Sequence, residues 1–444
     1  MARNFMCTKT DPVVETKAGK LRGFQLDGTY AFHGVKYADA KRFHQPTPVE
    51  PWEGIKNALA YGYVCPMLQQ DQPSNELMVP HRYWPLDENC QYLNIWTQHL
   101  DPNAKKPVLV WLHGGGFAAG SSIEHIAYEG ENMSKYGDVV VISLNHRLNI
   151  LGYLDLSPFG EEYKNSGNAG NADMVAALQW IHENIANFGG DPENITVFGQ
   201  SAGCMSVQTL VSSPLTENWI SKAIFQSAGG YDTGLNRDMP LSEAETIGQE
   251  FVELTGAKTL EELRAIPAEK IVELQEEFGR VNPSRMLSFV PNIDNHLLTC
   301  GYNEAVTEGK IKDIPYMLGS TADDIGVFPE MKEKGEHGGI YKGCINWSLA
   351  LEKLGRKPAY VYYFTRALLG DDAGAFHSSE LWYMFGTLGR SWRPKTEGDY
   401  ALSKEMMDDW TNFMKTGNPN AEGKDDWKPC TKDDPYVQVL DVRE

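Results

Sequence analysis

A serine between two glycines is the residue of this chain best placed to do covalent chemistry. Residues 199–203 read Gly-Gln-Ser-Ala-Gly, the pattern G-x-S-x-G with Ser201 at its centre. The run 195–198 before it is apolar and partly β-branched, as in a buried strand, and 204–210 can continue as a helix. A strand, a sharp turn and a helix present the serine hydroxyl as a nucleophile above a sheet. Because the pattern alone also occurs in ordinary loops, its partners must be found elsewhere in the chain.

A glycine-rich run follows an earlier predicted strand. His113-Gly-Gly-Gly-Phe117 comes directly after the apolar run 107–112. Attack on a carbonyl builds negative charge on its oxygen, and backbone N–H groups must already point at that oxygen. Glycines let the backbone approach closely and leave these N–H groups exposed. The alternative is a glycine-rich turn without a role, but a nucleophilic serine downstream favours oxyanion binding.

The serine stretch also carries a family resemblance. Residues 188–203 hold every fixed position of the serine-containing signature of the type-B carboxylesterase family, which includes the cholinesterases and many bacterial esterases. Residues 167–188 are similar to the family's approach to that serine. The resemblance covers nearly the whole chain. It implies an α/β-hydrolase fold, with a central, mostly parallel twisted sheet and helices on both faces, formed by residues 1–444 as a single domain.

Matched position by position, the resemblance assigns the residues around the carbonyl. It implies that the oxyanion is held by the N–H groups of Gly115, Gly116 and Ala202. Phe117 and Gln200 are the candidate substrate-binding residues. Many family members have a glutamate before the serine, which favours cationic substrates, whereas Gln200 is neutral. We therefore expect uncharged esters as substrates, with short acyl chains or aromatic groups both plausible.

Two neighbouring aspartates are candidates for the acid of a catalytic triad. The predicted strand 314–319 ends in Ser-Thr-Ala-Asp-Asp-Ile-Gly, and the family's acid falls on the fifth residue after Gly319, which is Asp324. The family more often has glutamate there. Aspartate is one methylene shorter, so either the histidine comes closer or Asp323 serves instead.

The base is found by chain order. In α/β-hydrolases the nucleophile, the acid and the histidine follow in that sequence. Of the eleven histidines, only His337 and His377 come after residue 324. His337 lies in a glycine-rich run that is typical of a mobile loop. Residues 374–386 resemble the family's G-A-x-H-x-x-E-L-x-Y-x-F, which makes His377 the expected base.

The acid and the base are close in sequence. Only 377 − 324 = 53 positions separate them, whereas family members have a longer segment whose helices wall the active-site gorge. We expect this wall to be reduced and the pocket to be more open. The long loop 66–89 is rich in Pro, Gln and Asp. It resembles the loop that lines the gorge mouth in the family, with simple packing of its aromatic residues as the alternative.

Residues 232–290 read as helices separated by breaks, without a strand pattern. We expect a helical insertion or cap over the active site. The helix signals are the capping-box pairs Ser242–Glu245 and Thr259–Glu262, Pro267 at a first helical position and Gly256 at a helix end.

The amino-acid composition of the chain limits the kinds of binding partner it can have. The chain has 444 residues, a net charge of −20 and a pI near 5.0, which argues against nucleic-acid binding and suits a solvated acidic surface. No apolar run approaches the roughly 18 residues of a membrane span. Residues 1–14 show no signal peptide, so we expect a cytoplasmic protein. The partner is a small-molecule ester, no metal or cofactor is needed for the chemistry, and the oligomeric state stays open.

The seven cysteines form no C-x-x-C pair, and their odd number suits a reducing compartment. The surroundings of Cys65 and Cys90 resemble the two ends of a disulfide loop in secreted family members, although Gln91 replaces the usual leucine. In a cytoplasmic protein we expect these two thiols to be close in space and mostly reduced. Arg147, in a run similar to another family motif, is expected to form a structural ion pair rather than to bind substrate.

Two other functions remain to be weighed against a serine carboxylesterase. A hydrolase of the same fold could cleave a specialised ester, thioester, carbamate or lactone, and no residue distinguishes that case. A non-catalytic binding relative is the second alternative, but such a protein has no need to keep Ser201, Asp324 and His377.

Overall fold

The computed structural model describes residues 4–68, 78–216, 218–423 and 426–443. Part of the predicted gorge-mouth loop, 69–77, lies outside the described residues, so its role stays a prediction. The strands in chain order are β1 Phe5–Met6, β2 Val13–Glu15, β3 Lys20–Arg22, β4 Phe24–Leu26, β5 Thr29–Lys36, β6 Ala38–Asp39, β7 Thr47–Pro48, β8 Ile55–Asn57, β9 Tyr92–Thr97, β10 Lys106–Leu112, β11 Val140–Leu144, β12 Gly190–Gln200, β13 Lys222–Gln226, β14 Tyr316–Thr321, β15 Tyr360–Phe364 and β16 Gln438–Leu440.

Eleven of these strands form one sheet in the order β1-β4-β5-β9-β11-β10-β12-β13-β14-β15-β16. Every pairing from β11 to β16 is parallel, and the pairings from β1 to β11 through β9 are antiparallel. Two small sheets, β2-β3-β8 and β6-β7, stand beside it. The prediction of a central, mostly parallel sheet is therefore confirmed.

The helices cover both faces of this sheet. They are α1 Glu131–Gly137, α2 Asn149–Tyr153, α3 Ala169–Asn184, α4 Ala202–Ser212, α5 Leu241–Thr255, α6 Leu260–Ala265, α7 Ala268–Val281, α8 Tyr302–Thr307, α9 Pro329–Glu333, α10 Gly339–Lys353, α11 Leu381–Met384 and α12 Glu397–Thr416. Alternate side chains of β10 enter different apolar clusters. Val108 and Val110 pack with residues of α3, α4 and α10, whereas Leu109 and Trp111 pack with residues of α1, α11 and α12. Strands covered on both faces are continuously apolar, as β10 is from Val108 to Leu112.

The predicted helical insertion contains α5, α6 and α7. Thr259 caps α6 by accepting the N–H of Glu262, as predicted, but the Glu262 carboxylate accepts the N–H of Lys258 and so does not complete a capping box. Gly256 ends α5 in the left-handed conformation, as predicted. The pairing of Ser242 with Glu245 was a wrong prediction, because the extended Pro240 precedes α5 and leaves Ser242 inside the helix. Pro267 likewise precedes α7 rather than opening it, because its backbone is extended.

The insertion packs towards the glycine-rich run and the serine turn. Its buried residues share one apolar cluster with Phe117 and Ala202. This contact favours the predicted position over the active site, while the division of the chain into one domain with a cap stays a prediction. Within the described ranges, no helix combines the length and the apolar character that crossing a membrane requires.

Candidate active site

Ser201 occupies the sharp turn between β12 and α4. Its backbone has φ 57° and ψ −131°, a conformation that non-glycine residues rarely adopt and that is typical of functional sites. Gly203 lies so close to β10 that a Cβ there would be 2.1 Å from the Leu112 carbonyl oxygen. A Cβ at Gly199 would be 2.4 Å from the Gly203 carbonyl oxygen. The two glycines of the pattern are therefore required by the tight strand–turn–helix packing.

The glycine-rich run after β10 lies directly against this turn. A Cβ at Gly114 would be 2.8 Å from the Ser201 Cβ. Gly115 and Gly116 have φ of 115° and 63°, in the region that favours glycine, and both are exposed. No described hydrogen bond uses their N–H groups. Ala202 is the first residue of α4, where helical N–H groups have no acceptor within the helix.

His377 and Asp324 are joined by a short hydrogen bond. The imidazole Nδ1 lies 2.6 Å from Asp324 Oδ1. The backbone N–H of Ile325 also donates to Oδ1, at 2.8 Å, and that of Thr321 donates to Oδ2, at 3.0 Å. The Asp324 side chain is almost completely buried, whereas the His377 side chain is 23% exposed. The carboxylate is thus held in one orientation, and the ring keeps an open side.

Opposing effects act on the pKa of Asp324. Burial alone would raise it. The hydrogen bond and the charge of His377, with a further hydrogen bond from the Thr321 N–H, outweigh burial, and the pKa lies below its ordinary value. Asp324 is therefore ionised near neutral pH and can stabilise a positive imidazolium ring.

Asp323 has different partners. Its carboxylate forms an ion pair with Lys332 and accepts the N–H of Ala375 at 2.8 Å. Its own N–H donates to the Ala375 carbonyl at 3.0 Å. These bonds tie the end of β14 to the segment that carries His377, so they fix the distance between acid and base. The shorter aspartate at position 324 is accommodated because the histidine comes close to it.

Gln200 makes a contact that the sequence did not indicate. Its Nε2 lies 2.9 Å from His377 Nε2, and its side chain is buried beside the serine turn. An amide nitrogen only donates, so His377 Nε2 accepts and Nδ1 carries the proton that bonds Asp324. This is the tautomer that a general base needs. The described hydrogen bonds of His377 do not include one to the Ser201 hydroxyl.

The other predicted residues lie as follows. Phe117 is buried, packs edge-to-face on Tyr153 at 5.3 Å and accepts the Asn149 N–H through its carbonyl at 2.6 Å. Its role in substrate binding, like that of Gln200, stays a prediction. His337 instead stacks on Tyr341, with ring centroids 3.9 Å apart.

Sequence reasoning missed a second buried carboxyl near Asp324. Glu380 is fully buried and accepts a hydrogen bond of 3.4 Å from Gln226 Nε2. Burial, and then the charge of Asp324, raise the pKa of Glu380 to about 7. The H-x-x-E spacing that begins at His377 was the signal that could have found it.

The predicted structural features outside the active site are present. Arg147 and Asp173 form a completely buried ion pair, with Nη2 2.7 Å from Oδ1, as predicted. Cys65 and Cys90 are free, buried thiols. Burial, and then a hydrogen bond with Cys65, raise the pKa of Cys90 well above its ordinary value. The expected closeness of the two thiols is confirmed.

The comparisons with known proteins agree with this geometry. The carboxylesterase family pattern matches residues 10–339 and 339–443. The chain belongs to the carboxylesterase family. It is 30% identical to the para-nitrobenzyl esterase of Bacillus subtilis (strain 168), over 97% of this chain and 95% of the relative. It is also 30% identical to liver carboxylesterase 1F of Rattus norvegicus, over 96% of this chain and 90% of the relative.

A solved structure shows the same architecture. It is an esterase from the anaerobe Clostridium hathewayi that can hydrolyse aliphatic aromatic polyesters, 37% identical, with a TM-score of 0.84 over 99% of this chain and 96% of that one. Together with the family match, this establishes an α/β-hydrolase fold and a carboxylic ester hydrolase. The break between the two matched segments falls at residue 339, between Asp324 and His377. That is where the sequence predicts a shortened gorge wall.

Proposed function

We propose that the carboxylesterase reaction runs through an acyl-enzyme on Ser201, with His377 as general base and Asp324 as the acid that orients it. The observation that carries this assignment is the 2.6 Å bond from His377 Nδ1 to Asp324 Oδ1, on a ring whose Nε2 accepts a hydrogen bond. A base in this tautomer can remove the proton of the serine hydroxyl, and the carboxylate stabilises the imidazolium that results.

In the proposed first step, Ser201 Oγ forms a bond to the ester carbonyl carbon while its proton passes to His377 Nε2. The carbonyl oxygen becomes an oxyanion, which the N–H groups of Gly115, Gly116 and Ala202 stabilise. The tetrahedral intermediate then collapses, the alcohol leaves with the proton from His377, and the acyl group stays on Ser201. Water repeats the sequence with the same base and releases the carboxylic acid.

Gln200 must release the imidazole for this step to begin. Its amide donates to His377 Nε2, the same atom that must accept the serine proton, and one lone pair serves one strong donor at a time. We infer that Gln200 holds the ring in place before substrate arrives and that the Ser201 hydroxyl replaces it in the reactive complex. Catalytic hydrogen bonds are often long in unliganded enzymes and tighten with substrate bound.

The proposed substrates are uncharged carboxylic esters with short acyl or aromatic groups. The neutral Gln200 beside the base supports this choice, because a carboxylate there would attract cations. Exposed backbone at Gly115 and Gly116 supports an open approach to the carbonyl. The Clostridium hathewayi esterase acts on aliphatic aromatic polyesters, so an aromatic acyl ester belongs in the substrate panel.

A cytoplasmic location is proposed as well, supported by the free thiols of Cys65 and Cys90.

The decisive test compares the wild type with Ser201→Ala on p-nitrophenyl acetate, butyrate, octanoate and benzoate. Ser242→Ala, which changes an exposed serine on α5, is the matched control. We expect Ser201→Ala to lose on the order of 10³-fold or more in kcat with its circular dichroism spectrum unchanged. The control should retain wild-type rates. Equal rates for the wild type and Ser201→Ala would overturn the nucleophile assignment, and low rates on every ester would favour a specialised substrate.

A further inference from the structure

Three side chains with metal-binding atoms converge outside the Ser201–His377–Asp324 group. They are His81, Glu124 and His125, and one ligand atom from each lies within 4.8 Å of the other two. His81 Nε2 is 3.6 Å from Glu124 Oε2, and His125 Nε2 is 3.7 Å from Glu124 Oε1. In the part of the chain that the structure describes, this is the one cluster of three such residues.

These spacings suit a small divalent cation with tetrahedral coordination. Zn²⁺ binds imidazole nitrogen and carboxylate oxygen at roughly 2.0–2.2 Å, which places neighbouring ligand atoms about 3.4 Å apart in a tetrahedron. The two imidazole–carboxylate separations, each to a different oxygen of Glu124, exceed that value by a few tenths of an ångström, and all three ligand atoms lie within 4.8 Å of one another. Two imidazoles and one carboxylate are also a donor set that zinc takes in proteins, with the fourth position left to water.

The backbone holds the ligands in place across two chain segments. His81 and His125 oppose each other in an isolated antiparallel bridge, and their rings are nearly perpendicular with centroids 5.1 Å apart. The N–H of Arg82 donates to the Glu124 carbonyl at 2.7 Å. The His125 ring also packs edge-on against the Tyr128 ring, with centroids 5.2 Å apart. The arrangement is therefore formed before any ion binds.

The charges in the cluster favour a cation. Glu124 supplies a carboxylate, and the two imidazoles supply ring nitrogens whose lone pairs can bind a metal ion. The guanidinium of Arg82 is the neighbouring positive charge, and it is paired with Glu129 at 2.8 Å.

We propose that His81, Glu124 and His125 form a Zn²⁺ site, with water or a small anion as the fourth ligand. The ion ties residues 78–84 to residues 121–125, which continue the chain from the glycine-rich run 113–117. It takes no part in the ester chemistry, which needs no metal. Its effect is to fix these two segments against each other beside the active site.

The test is isothermal titration of Zn²⁺ into full-length protein that has been stripped with a chelator and dialysed. The variants are His81→Gln and Glu124→Gln, which keep side-chain volume and polarity. His99→Gln is the matched control, because His99 pairs with a carboxylate, Asp138, at 2.9 Å without a third ligand. We expect one Zn²⁺ per chain in the wild type and the control, and affinity at least 100-fold weaker in the other two. Zn²⁺ should raise the thermal midpoint of the wild type and the control only.

Co²⁺ gives an independent readout of the ligands. We expect the visible absorption of tetrahedral Co²⁺ without thiolate charge-transfer bands, lost in His81→Gln and in Glu124→Gln. Stoichiometric binding that both variants retain would overturn the proposal, as would the absence of saturable binding in the wild type. Thiolate bands would assign the ion to cysteine and overturn it too. His81 is partly exposed, so its variant decides the matter if Glu124→Gln fails to fold.

Discussion

Gln200 connects the serine turn to the base through its side chain. The Gln200 side chain lies 2.9 Å from His377 Nε2, the atom that must accept the serine proton. The residue at position 200 therefore contacts the base directly. A neutral donor there holds the ring without favouring its protonated form. A carboxylate at the same place would accept from a protonated ring and would present a negative charge to substrate. The identity of this one side chain therefore affects both the pH profile and the charge preference.

Gln200→Glu tests that argument. A carboxylate within hydrogen-bond distance of the imidazole favours the protonated ring, so the acid limb of the kcat/KM profile should move to higher pH by roughly one unit or more. Esters of choline should gain relative to neutral esters of the same acid. Gln179→Glu, which adds the same charge on the exposed face of α3, should leave both properties unchanged. A profile and a preference identical to wild type would contradict the role given to Gln200.

Substitutions of the two neighbouring aspartates should have different effects on kcat. Asp324→Asn removes the charge that orients His377 and should lower kcat by roughly 10³- to 10⁴-fold. Asp323→Asn keeps an oxygen for the Ala375 N–H and loses only the ion pair with Lys332, so kcat should fall less than about tenfold, in keeping with the small energies of exposed ion pairs. Steady-state kinetics of the two folded variants decide between them. The reverse order of effects would make Asp323 the acid.

Glu380 should make stability depend on pH near neutrality. Its pKa is raised from 4.5 to about 7 in the folded protein, so the folded state holds the proton more tightly than the unfolded state. The resulting stabilisation is complete below the unfolded value and is lost as pH rises through about 7. From about pH 6 to about pH 8 the loss is about 1.4 kcal/mol.

Urea unfolding of the wild type and Glu380→Gln at both pH values measures this loss. The wild type should lose stability relative to Glu380→Gln as pH rises, because the amide cannot ionise. Glu330→Gln, an exposed change on α9, should follow the wild type. Parallel pH profiles for the wild type and Glu380→Gln would show that Glu380 does not titrate in this range.

At the scale of elements, one buried ion pair joins the segments that carry the site. Arg147 follows β11, and its guanidinium makes two bonds to the carboxylate of Asp173 on α3, at 2.9 and 2.7 Å. It also donates to the His44 carbonyl, and Gln91 adds a bond of 3.1 Å to Asp173. The glutamine that replaces the family's leucine thus has a structural explanation. Helix α3, the β11 loop and the N-terminal segment are held together at one point.

Removing one member of this pair should be costly. Asp173→Asn leaves a guanidinium buried without its counter-charge, and breaking such a pair typically costs about 3–5 kcal/mol. Glu183→Gln breaks an ion pair with Lys17 on the same helix, but that pair is largely exposed and should be worth less than about 1 kcal/mol. Urea unfolding of both variants gives the comparison. An equal loss of unfolding free energy in the two variants would mean that burial does not strengthen the contribution of the Arg147–Asp173 pair to stability.

At the scale of the whole molecule, the sequence predicts what backbone geometry dictates and misses what depends on side-chain direction. The parallel strands and the serine turn follow from apolar runs and obligatory glycines, and His377 follows from chain order. The contact of Gln200 with His377 depends on the side-chain rotamer of Gln200. The surroundings of Glu380 depend on packing between segments that are distant in the sequence. Helix starts near Pro240 and Pro267 were displaced because proline holds an extended conformation before the helix. The short edge strand β16 has too few apolar residues for a pattern.

The net charge of −20 raises a question that belongs to the whole molecule, which is whether its field steers substrates or only keeps the surface hydrated. Steering raises encounter rates and weakens with salt, because the Debye length falls from about 30 Å at 0.01 M to about 3 Å at 1 M. We expect the negative charge to keep the surface hydrated without steering substrates. The kcat/KM values for acetylthiocholine and for its uncharged isostere 3,3-dimethylbutyl thioacetate should therefore stay within about twofold over this range of salt concentration. The isostere is the control for salt effects on the enzyme itself. A fall of tenfold or more for the cation alone would show that the acidic surface selects substrates by charge.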